Sequence, residues 1–332
     1  MVTLPADRAL LQRLVAGPVS GDALARESGS TRAAVWKRIE ALREAGVAID
    51  ARAGRGYALA APVELLDAAV IGATLPPAIA AQLAGLEVAW SLDSTSSELL
   101  RRPPAGRGVQ ALFAERQTGG RGRRGRIWAS PLAANLYLSV ARGFEGGLVR
   151  LGGLSLVAGV AVAEALHALD VAEARLKWPN DVVVADGAQL RKLGGILVEG
   201  GGEHAGPVRA VVGIGLNARM PADAAAAIDQ PWIDLATLHS QPPSRNALAA
   251  ALLAQLLPAL EQFDREGLAP FLQRYAALDV LAGETVRVLA GDGEHAGVAL
   301  GLAADGALRV RLASGERDFH AGEVSLRKEG AA

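Results

Sequence analysis

The chain has 332 residues, a net charge of −1 at pH 7 and no cysteine. Its length suits two or three domains, and the near-zero charge excludes a protein that binds polyanions over its whole surface. The lack of cysteine excludes disulfides, thiolate zinc sites and cysteine nucleophiles, and it favours a reducing cytoplasm.

The N-terminus shows no basic segment followed by an apolar core, so we expect no signal peptide. The most apolar run, 151–163, is interrupted by three glycines and a serine. It falls short of the ~20 apolar residues of a membrane helix. We interpret it as a buried helix of a soluble protein.

The first block, residues 1–62, has the pattern of a winged helix-turn-helix. Leucines give a first helix one apolar face, and a second short helix follows. Gly29 then supplies a tight turn, and Ser30 or Thr31 caps a third helix with apolar positions at i, i+4 and i+7. An alternating hairpin pattern over 47–59 predicts the wing.

The third helix has a basic face in addition to its apolar face, since residues 30–43 contain 4 basic residues and 1 acidic residue. Such a helix suits the major groove of DNA, although a merely solvated face is an equal alternative. Trp36 within the basic face favours DNA binding, unless it packs against the wing. One winged helix covers one half-site, so specific binding requires a dimer. The predicted DNA-binding residues are Ser30, Thr31, Arg32, Trp36, Lys37, Arg38, Arg52 and Arg55.

Two further blocks follow. In residues 63–278 strand-like runs outnumber helices, which predicts a mixed β-sheet backed by helices rather than a regular βαβ repeat. In residues 279–332 short alternating runs are separated by Gly-Asp-Gly and Asp-Gly turns, which predicts a small β-barrel. The predicted fold class is therefore a multidomain α+β protein.

The segment most informative about chemistry is 115–128, which follows a strand. Its residues 119–126 comprise four glycines and four arginines. Glycines let backbone N–H groups approach a ligand, and arginines are bidentate donors to phosphate or carboxylate. The segment is neither a Walker loop nor a dinucleotide fingerprint. We predict a loop that closes over an anion; a flexible surface loop or a nucleic-acid contact is the alternative.

Three more segments carry candidate groups. Lys177 to Asp181 could address a nucleotide and its Mg²⁺, or form a plain tight turn. Lys192 stands just before a buried strand, where its ammonium could stabilise charge developing on phosphorus or simply reach solvent. Asp93 to Glu98 looks like a capped helix start whose hydroxyls could hold a polar ring. Without a defensible Ser/His/Asp set, we predict phosphoryl or adenylyl transfer through positioning and positive charge.

Four segments in order resemble signatures of the bacterial biotin–protein ligases, specifically the class that also represses the biotin operon. They are residues 120–128, 177–181, 192–199 and 213–217. The resemblance covers almost the whole chain. It implies a catalytic domain like that of class II aminoacyl-tRNA synthetases and a C-terminal SH3-like barrel.

The resemblance also implies a two-step reaction. The biotin carboxylate attacks the α-phosphate of MgATP, which gives biotinyl-5′-AMP and pyrophosphate. A lysine ε-amine of a biotin carboxyl carrier protein then attacks the mixed anhydride and releases AMP. In the family, biotinyl-5′-AMP is also the corepressor, and the homodimer that forms with it binds operator DNA. The Mg²⁺ enters with ATP, with Asp181 a candidate ligand and no fixed metal site expected.

Site residues follow from the same resemblance. Catalytic roles fall to Lys192, Arg123 and Asp181. The implied biotin- or adenylate-binding residues are Ser94, Thr95, Ser96, Gln117, Gly120, Arg121, Gly122, Arg123, Arg124, Trp128, Lys177, Asn180, Lys192, Gly195, Asn217, Trp232 and Arg327. Two positions depart from the family pattern: Ser96 replaces the usual asparagine, and Gly194 replaces the usual alanine.

Two alternatives stay open. A lipoate–protein ligase shares the catalytic fold and the adenylate chemistry, but the Gly-Arg loop and the winged helix argue against it. A repressor whose large domain only senses a ligand is the second alternative, and the presence of Lys192 and the arginine-rich loop argues against that.

Overall fold

The computed structural model of the chain describes residues 6–52, 56–104, 106, 108–145, 147–187, 189–202, 208–291, 293–320 and 325–328. The N-terminal elements are α1 (Ala6–Val15), α2 (Gly21–Glu27), α3 (Arg32–Glu44), β1 (Ile49–Arg52) and β2 (Gly56–Leu59). Ser20 caps α2 and Thr31 caps α3, each accepting a hydrogen bond from a backbone N–H three residues further on. The predicted winged helix-turn-helix is confirmed.

The N-terminal helices enclose a small core. Val35, Ile39 and Leu42 of α3 are buried, as their spacing predicted. On another face of α3, Arg43 fastens the wing, because its Nε and Nη2 donate to the Ile49 carbonyl at 3.0 and 2.6 Å. These hydrogen bonds therefore hold the wing against the helix.

The central part contains a seven-stranded sheet. Its strands are β3 (Leu83–Ala89), β4 (Val109–Ala114), β5 (Leu136–Phe144), β6 (Arg175–Lys177), β7 (Asp181–Asp186), β8 (Gln189–Gly202) and β9 (Val208–Leu216). The order is β3-β4-β5-β9-β8-β7-β6. Strands β3 and β4 are parallel and the other neighbours are antiparallel, which confirms the predicted mixed sheet. Strand β6 was not predicted, because three residues are too few to show a period.

The helices of the central part are α4 (Ala68–Thr74), α5 (Pro77–Ala80), α6 (Thr95–Arg101), α7 (Leu154–His167), α8 (Ala222–Ala225), α9 (Leu235–Leu238), α10 (Arg245–Glu266) and α11 (Ala269–Ala276), with 3₁₀ turns at Arg123–Gly125 and Leu148–Leu151. Of these, α4, α6, α7 and α10 pack against the sheet. The expectation that the apolar run 151–163 is too short to cross a membrane was wrong, because the helical stretch Leu148–His167 is long and apolar enough. However, most residues of α7 lie in the hydrophobic core with α10 and the sheet, so the buried helix predicted here is confirmed.

The C-terminal part is a five-stranded antiparallel sheet. It comprises β10 (Thr285–Ala290), β11 (Gly293–Leu302), β12 (Leu308–Leu312), β13 (Gly315–Phe319) and β14 (Ser325–Lys328), in the order β13-β12-β11-β10-β14. Val286 and Val288 of β10 share one continuous core with Phe271 and Tyr275 of α11. The C-terminal sheet therefore packs directly on the central part.

Two hydrogen bonds tie the flanking parts to the centre. The buried indole of Trp178, in the turn between β6 and β7, donates to the Gly306 carbonyl at 2.9 Å in the C-terminal part. At the other end, the Leu132 N–H donates to the Ala45 carbonyl at 2.8 Å. The side chain of Leu132 is buried in the N-terminal core. Both contacts lie close in sequence to candidate site segments.

A buried ion pair also connects distant segments. Glu115, after β4, is fully buried and lies 2.8 Å from Arg245 at the start of α10. Its second oxygen accepts from the Leu66 N–H, and Arg245 donates to the Asn135 carbonyl at 2.8 Å. The pair thus holds together the segment before α4, the end of β4 and the start of β5.

Candidate active site

Two glycines on neighbouring strands form a bare patch on the central sheet. Gly195 of β8 and Gly215 of β9 are paired across the strands, and the indole of Trp128 lies against both. A Cβ on Gly215 would come within 2.4 Å of Trp128 Cε2, and one on Gly195 within 3.3 Å of Cζ3. At Gly215 only glycine leaves room for the ring, which gives a physical reason for the glycine-rich segment 213–217.

Lys192 lies beside this ring. The sequence placed it just before a buried strand; that was wrong by a few residues, because it lies inside β8. The pairing of β8 with β7 skips Leu193, and such a bulge re-aims the neighbouring side chains. The Nζ of Lys192 is 2.7 Å from Asp181 Oδ1 and 5.6 Å from the centre of the Trp128 ring. The ammonium is thus held between a carboxylate and an aromatic face.

The predicted segment Lys177–Asp181 forms the turn between β6 and β7, and its first and last residues are paired across the hairpin. The Asn180 Nδ2 donates to the Ile196 carbonyl at 2.9 Å, and its Oδ1 accepts from Arg123 Nη1 at 3.1 Å. The turn therefore anchors the arginine-rich loop to β8.

Arg123 and Arg124 line a cavity of about 380 Å³, together with Asn180 and Val198. Burial lowers the pKa of Arg123, and the charge of the neighbouring Arg124 lowers it further. A guanidinium nevertheless keeps its proton at neutral pH. Two adjacent cations at one cavity favour an anionic ligand, in line with the predicted closure of this loop over an anion.

The loop itself is a short hairpin. The Gly122 N–H donates to the Arg126 carbonyl at 2.7 Å, and the Trp128 N–H donates to the Gly120 carbonyl at 2.9 Å. Arg124 adopts a left-handed conformation with φ of 56° at its tip, where a non-glycine residue is uncommon. The hairpin thereby places Trp128 over the glycine patch and Arg123 at the cavity.

Arg121 occupies the outer end of the site. Its Nη2 donates to Ser97 Oγ at 2.9 Å and to the Glu199 carboxylate at 3.0 Å. The guanidinium is therefore already paired with a protein carboxylate in this structure. Its role in binding biotin stays a prediction.

A network of buried hydroxyls lies at the start of α6, where Ser94 caps the helix. The Thr95 N–H donates to Gln117 Oε1 at 2.8 Å, and Thr95 Oγ1 lies 2.7 Å from Ser139 Oγ. Ser96 Oγ is 2.9 Å from the same Ser139 oxygen. Ser139 was not among the predicted site residues, although a serine inside the apolar run of β5 was a usable signal.

The remaining candidates surround the backbone of Lys192. The Asn217 Nδ2 donates to the Lys192 and Ile233 carbonyls at 3.3 and 3.1 Å, and Lys192 forms a parallel bridge with Trp232. Asn217 therefore fixes the backbone at Lys192, and its role in binding biotin or the adenylate stays a prediction. The backbone of Arg327 lies in β14, and its side chain is outside the described residues.

Three family descriptions match this chain: "HTH domain" over residues 8–58, "Biotin/lipoate A/B protein ligase family" over residues 109–217 and "Biotin protein ligase C terminal domain" over residues 282–327. The bifunctional ligase/repressor BirA of Salmonella typhimurium is 41% identical over 308 residues, which cover 93% of each chain. The Escherichia coli protein of that name is 40% identical over 310 residues, or 93% of this chain and 92% of its own. The chain belongs to the bifunctional biotin ligase/repressor family.

A solved structure agrees with this. The biotin protein ligase from Aquifex aeolicus in complex with biotin and ATP superimposes with a TM-score of 0.62 at 28% identity, covering 74% of this chain and 100% of that chain. As a member of the ligase/repressor family, the chain is a biotin–protein ligase that uses ATP, joined to a helix-turn-helix repressor domain. These matches favour a biotin ligase over the lipoate–protein ligase that the sequence left open.

The helix-turn-helix domain of this ligase/repressor exposes part of the predicted DNA-binding set. Trp36 is 55% exposed, so it does not pack under the wing. Arg32 and Lys37 are exposed on α3. Arg38 is half-buried and lies 4.0 Å from Asp7 on α1, which turns it away from the outer face.

Two of the residues predicted to contact DNA form hydrogen bonds at the start of α3. Thr31 Oγ1 accepts from the helix backbone at 3.2 Å, and Ser30 Oγ lies 2.7 Å from Ser28 Oγ. Arg55 and the side chain of Arg52 lie outside the described residues. Their contacts with DNA stay predictions.

Asp279 is a partly buried acid next to the ligase site. Its backbone pairs with that of Leu176 in β6, the strand that leads into the Lys177–Asp181 turn. Its Oδ1 accepts a hydrogen bond from the Leu281 N–H at 2.9 Å. Its Oδ2 is buried without a hydrogen-bond partner. Burial raises the pKa of Asp279 from 3.8 to about 6, because the charged form loses its hydration.

This shift predicts a pH dependence of stability. A raised folded-state pKa means that the stabilisation is complete below the unfolded pKa and is lost as the pH rises through about 6. The expected loss between about pH 4.5 and about pH 7.5 is ~2 kcal/mol. Asp279→Asn should abolish that component, as urea unfolding of both proteins at several pH values would measure. Parallel pH curves for parent and variant would contradict the assignment.

Proposed function

We propose that the cleft between the 120–128 hairpin, β8 and the Lys177–Asp181 turn is where biotin and ATP react. The observation that carries this proposal is the position of Lys192. Its ammonium lies between Asp181 and Trp128. Arg123 lines the adjoining cavity and donates a hydrogen bond to Asn180, which precedes Asp181 in the turn.

In the first step, the biotin carboxylate attacks the α-phosphorus of ATP and pyrophosphate leaves. Negative charge grows on the phosphoryl oxygens during this attack. Lys192 and Arg123 stabilise that charge, since cations in a partly dehydrated cleft interact with it more strongly than they would in water. Trp128 closes one side of the cleft and limits hydrolysis of the anhydride by water.

In the second step, the ε-amine of a lysine on the biotin carboxyl carrier protein attacks the carbonyl of biotinyl-5′-AMP. The bond between the carbonyl carbon and the phosphate oxygen breaks, AMP leaves with the same cations around it, and the new amide nitrogen gives up a proton to solvent. We propose that Gln117, Thr95 and Ser96 bind the polar ring of biotin, with Ser139 fixing their hydroxyls. Trp232 and Arg327 complete the proposed nucleotide side.

Magnesium is proposed to arrive with ATP. Among the described residues no group of three or more His, Cys, Asp and Glu side chains could hold a metal ion. Asp181 is a single carboxylate, and its Oδ1 lies 2.7 Å from Lys192 Nζ. A lone carboxylate suits an ion whose other ligands are phosphates and water.

The test is to incubate the protein with MgATP, radiolabelled biotin and a purified biotin carboxyl carrier domain. We expect an ATP-dependent label on the carrier, and Lys192→Ala should slow it by at least roughly a hundredfold. Arg265→Ala, on the exposed side of α10, is the control and should match the parent. Unchanged labelling by Lys192→Ala would refute the proposed site.

We also propose that biotinyl-5′-AMP is the corepressor, that the loaded protein is a cytoplasmic homodimer, and that Arg32, Trp36 and Lys37 read operator DNA. Exposure of these three side chains on one helix supports this. The proposed domain bounds are 1–62, 63–278 and 279–332.

Selection from a random-sequence duplex library tests the repressor half. With biotin and ATP present, we expect enrichment of inverted repeats about one helical turn between half-site centres, and none with ATP alone. Arg32→Ala should lose the enrichment, whereas Arg311→Ala in the C-terminal sheet should keep it. Enrichment of single, unrepeated sites would contradict the dimer.

A further inference from the structure

A second, smaller cavity lies behind the Lys177–Asp181 turn. Asp181, Asn180 and Lys177 line one side, and Tyr275 of α11 lines the other. The space between them is too narrow to hold a water molecule. The Asp181 side chain itself is 23% exposed, whereas Tyr275 is buried.

Tyr275 faces this cavity with an unsatisfied group. The side chain is 2% exposed, and its hydroxyl has no hydrogen-bond partner. Burial raises the pKa of Tyr275, and the negative charges of Asp279 and Asp181 raise it further. The hydroxyl therefore keeps its proton and can donate a hydrogen bond. A buried donor without a partner costs free energy of folding. We therefore looked for an arrangement of the site in which the Tyr275 hydroxyl donates a hydrogen bond.

The proposed reaction supplies such a state. Lys192 Nζ is 2.7 Å from Asp181 Oδ1, but stabilising charge on phosphorus requires the ammonium to turn toward the substrate. Once it turns, the Asp181 carboxylate loses its closest protein cation. A hydrogen-bond donor on the buried side of the carboxylate would replace part of that stabilisation, whether or not Mg²⁺ binds its other oxygen, and would lower the cost of the turn.

We propose that Tyr275 is a positioning residue for Lys192: its hydroxyl donates to the Asp181 carboxylate when Lys192 turns to the reacting groups. This rests on the role proposed above for Lys192. Tyr275 touches neither biotin nor ATP. It acts by stabilising Asp181 in the reactive arrangement, which frees the ammonium without leaving an uncompensated charge.

The test is Tyr275→Phe, which removes only the unpartnered hydroxyl. We expect biotin and ATP affinities within about twofold of the parent and an unfolding midpoint that is equal or higher. The single-turnover rate of adenylate formation should fall roughly ten- to a hundredfold, the scale of a misplaced catalytic group. Tyr57→Phe, on the wing hairpin, is the matched control and should leave that rate unchanged.

A mutant cycle separates the outcomes. In an Asp181→Asn background, Tyr275→Phe should cause no further loss of rate, because the charge it serves is absent. An equal loss in both backgrounds, or no loss in the parent, would overturn the proposal. If Asp279→Asn reproduced the rate loss, the hydroxyl would serve Asp279 instead and the proposal would also fall. Full activity of Lys192→Ala would refute the site itself, which is a distinct result.

Discussion

Replacing Gly215 with alanine is expected to abolish most adenylate formation while leaving a folded protein. The new Cβ would lie within 2.4 Å of Cε2 and 2.5 Å of Nε1 of Trp128, so the indole must leave the glycine patch. Lys192 then loses the aromatic face beside its ammonium. We expect the rate to fall roughly a hundredfold, measured as biotin-dependent pyrophosphate release, at a cost of ~1–3 kcal/mol in the free energy of unfolding.

Gly143→Ala provides the matched control, because a Cβ there has no atom within 4 Å and the residue lies in the neighbouring strand β5. It should leave the rate and the unfolding energy close to those of the parent. Adding Trp128→Ala to Gly215→Ala should recover the lost stability but not the rate. Parental activity of Gly215→Ala would show that the position of Trp128 does not matter for the reaction.

The second large effect concerns stability. Arg245→Met should lower the free energy of unfolding by ~3–5 kcal/mol, because it leaves the fully buried Glu115 carboxylate without its cation. The hydrogen bonds from Arg245 to the Asn135 and Glu64 carbonyls are lost as well. Denaturation by urea, followed by tryptophan fluorescence, would measure the loss.

Arg265→Met is the control for that experiment, since Arg265 pairs with Glu261 on the exposed side of the same helix. Exposed pairs contribute at most ~1 kcal/mol. The double variant Glu115→Gln, Arg245→Met should recover part of the loss, because no buried charge remains. A single-variant loss as small as the control's would mean that water reaches Glu115.

Local patterns predicted much of this molecule. The spacing of Val35, Ile39 and Leu42 predicted the buried face of α3, and the hydroxyl before it predicted the cap. Both depend on neighbours a few residues apart, which the sequence displays directly. The same holds for the apolar runs that became β4 and β5.

Contacts between distant segments could not be predicted this way. Nothing near Trp128 in the sequence shows that its ring lies on Gly215, or that Trp178 donates to Gly306. Lys192 was placed before its strand because a bulge changes the pairing without changing the local pattern. The role proposed for Tyr275 was not predicted, because it depends on a hydroxyl that is buried without a hydrogen-bond partner. Only the three-dimensional packing shows this.

The contact between Leu132 and Ala45 bears on how a shortened enzyme would behave. A fragment beginning after residue 62 would uncover Leu132 and Ala133, both now buried in the N-terminal core. These residues follow Trp128 by only a few positions, so new apolar surface would appear beside the reaction cleft. Such surface promotes self-association. Such a fragment is therefore expected to self-associate more than the full chain unless position 132 carries a polar residue.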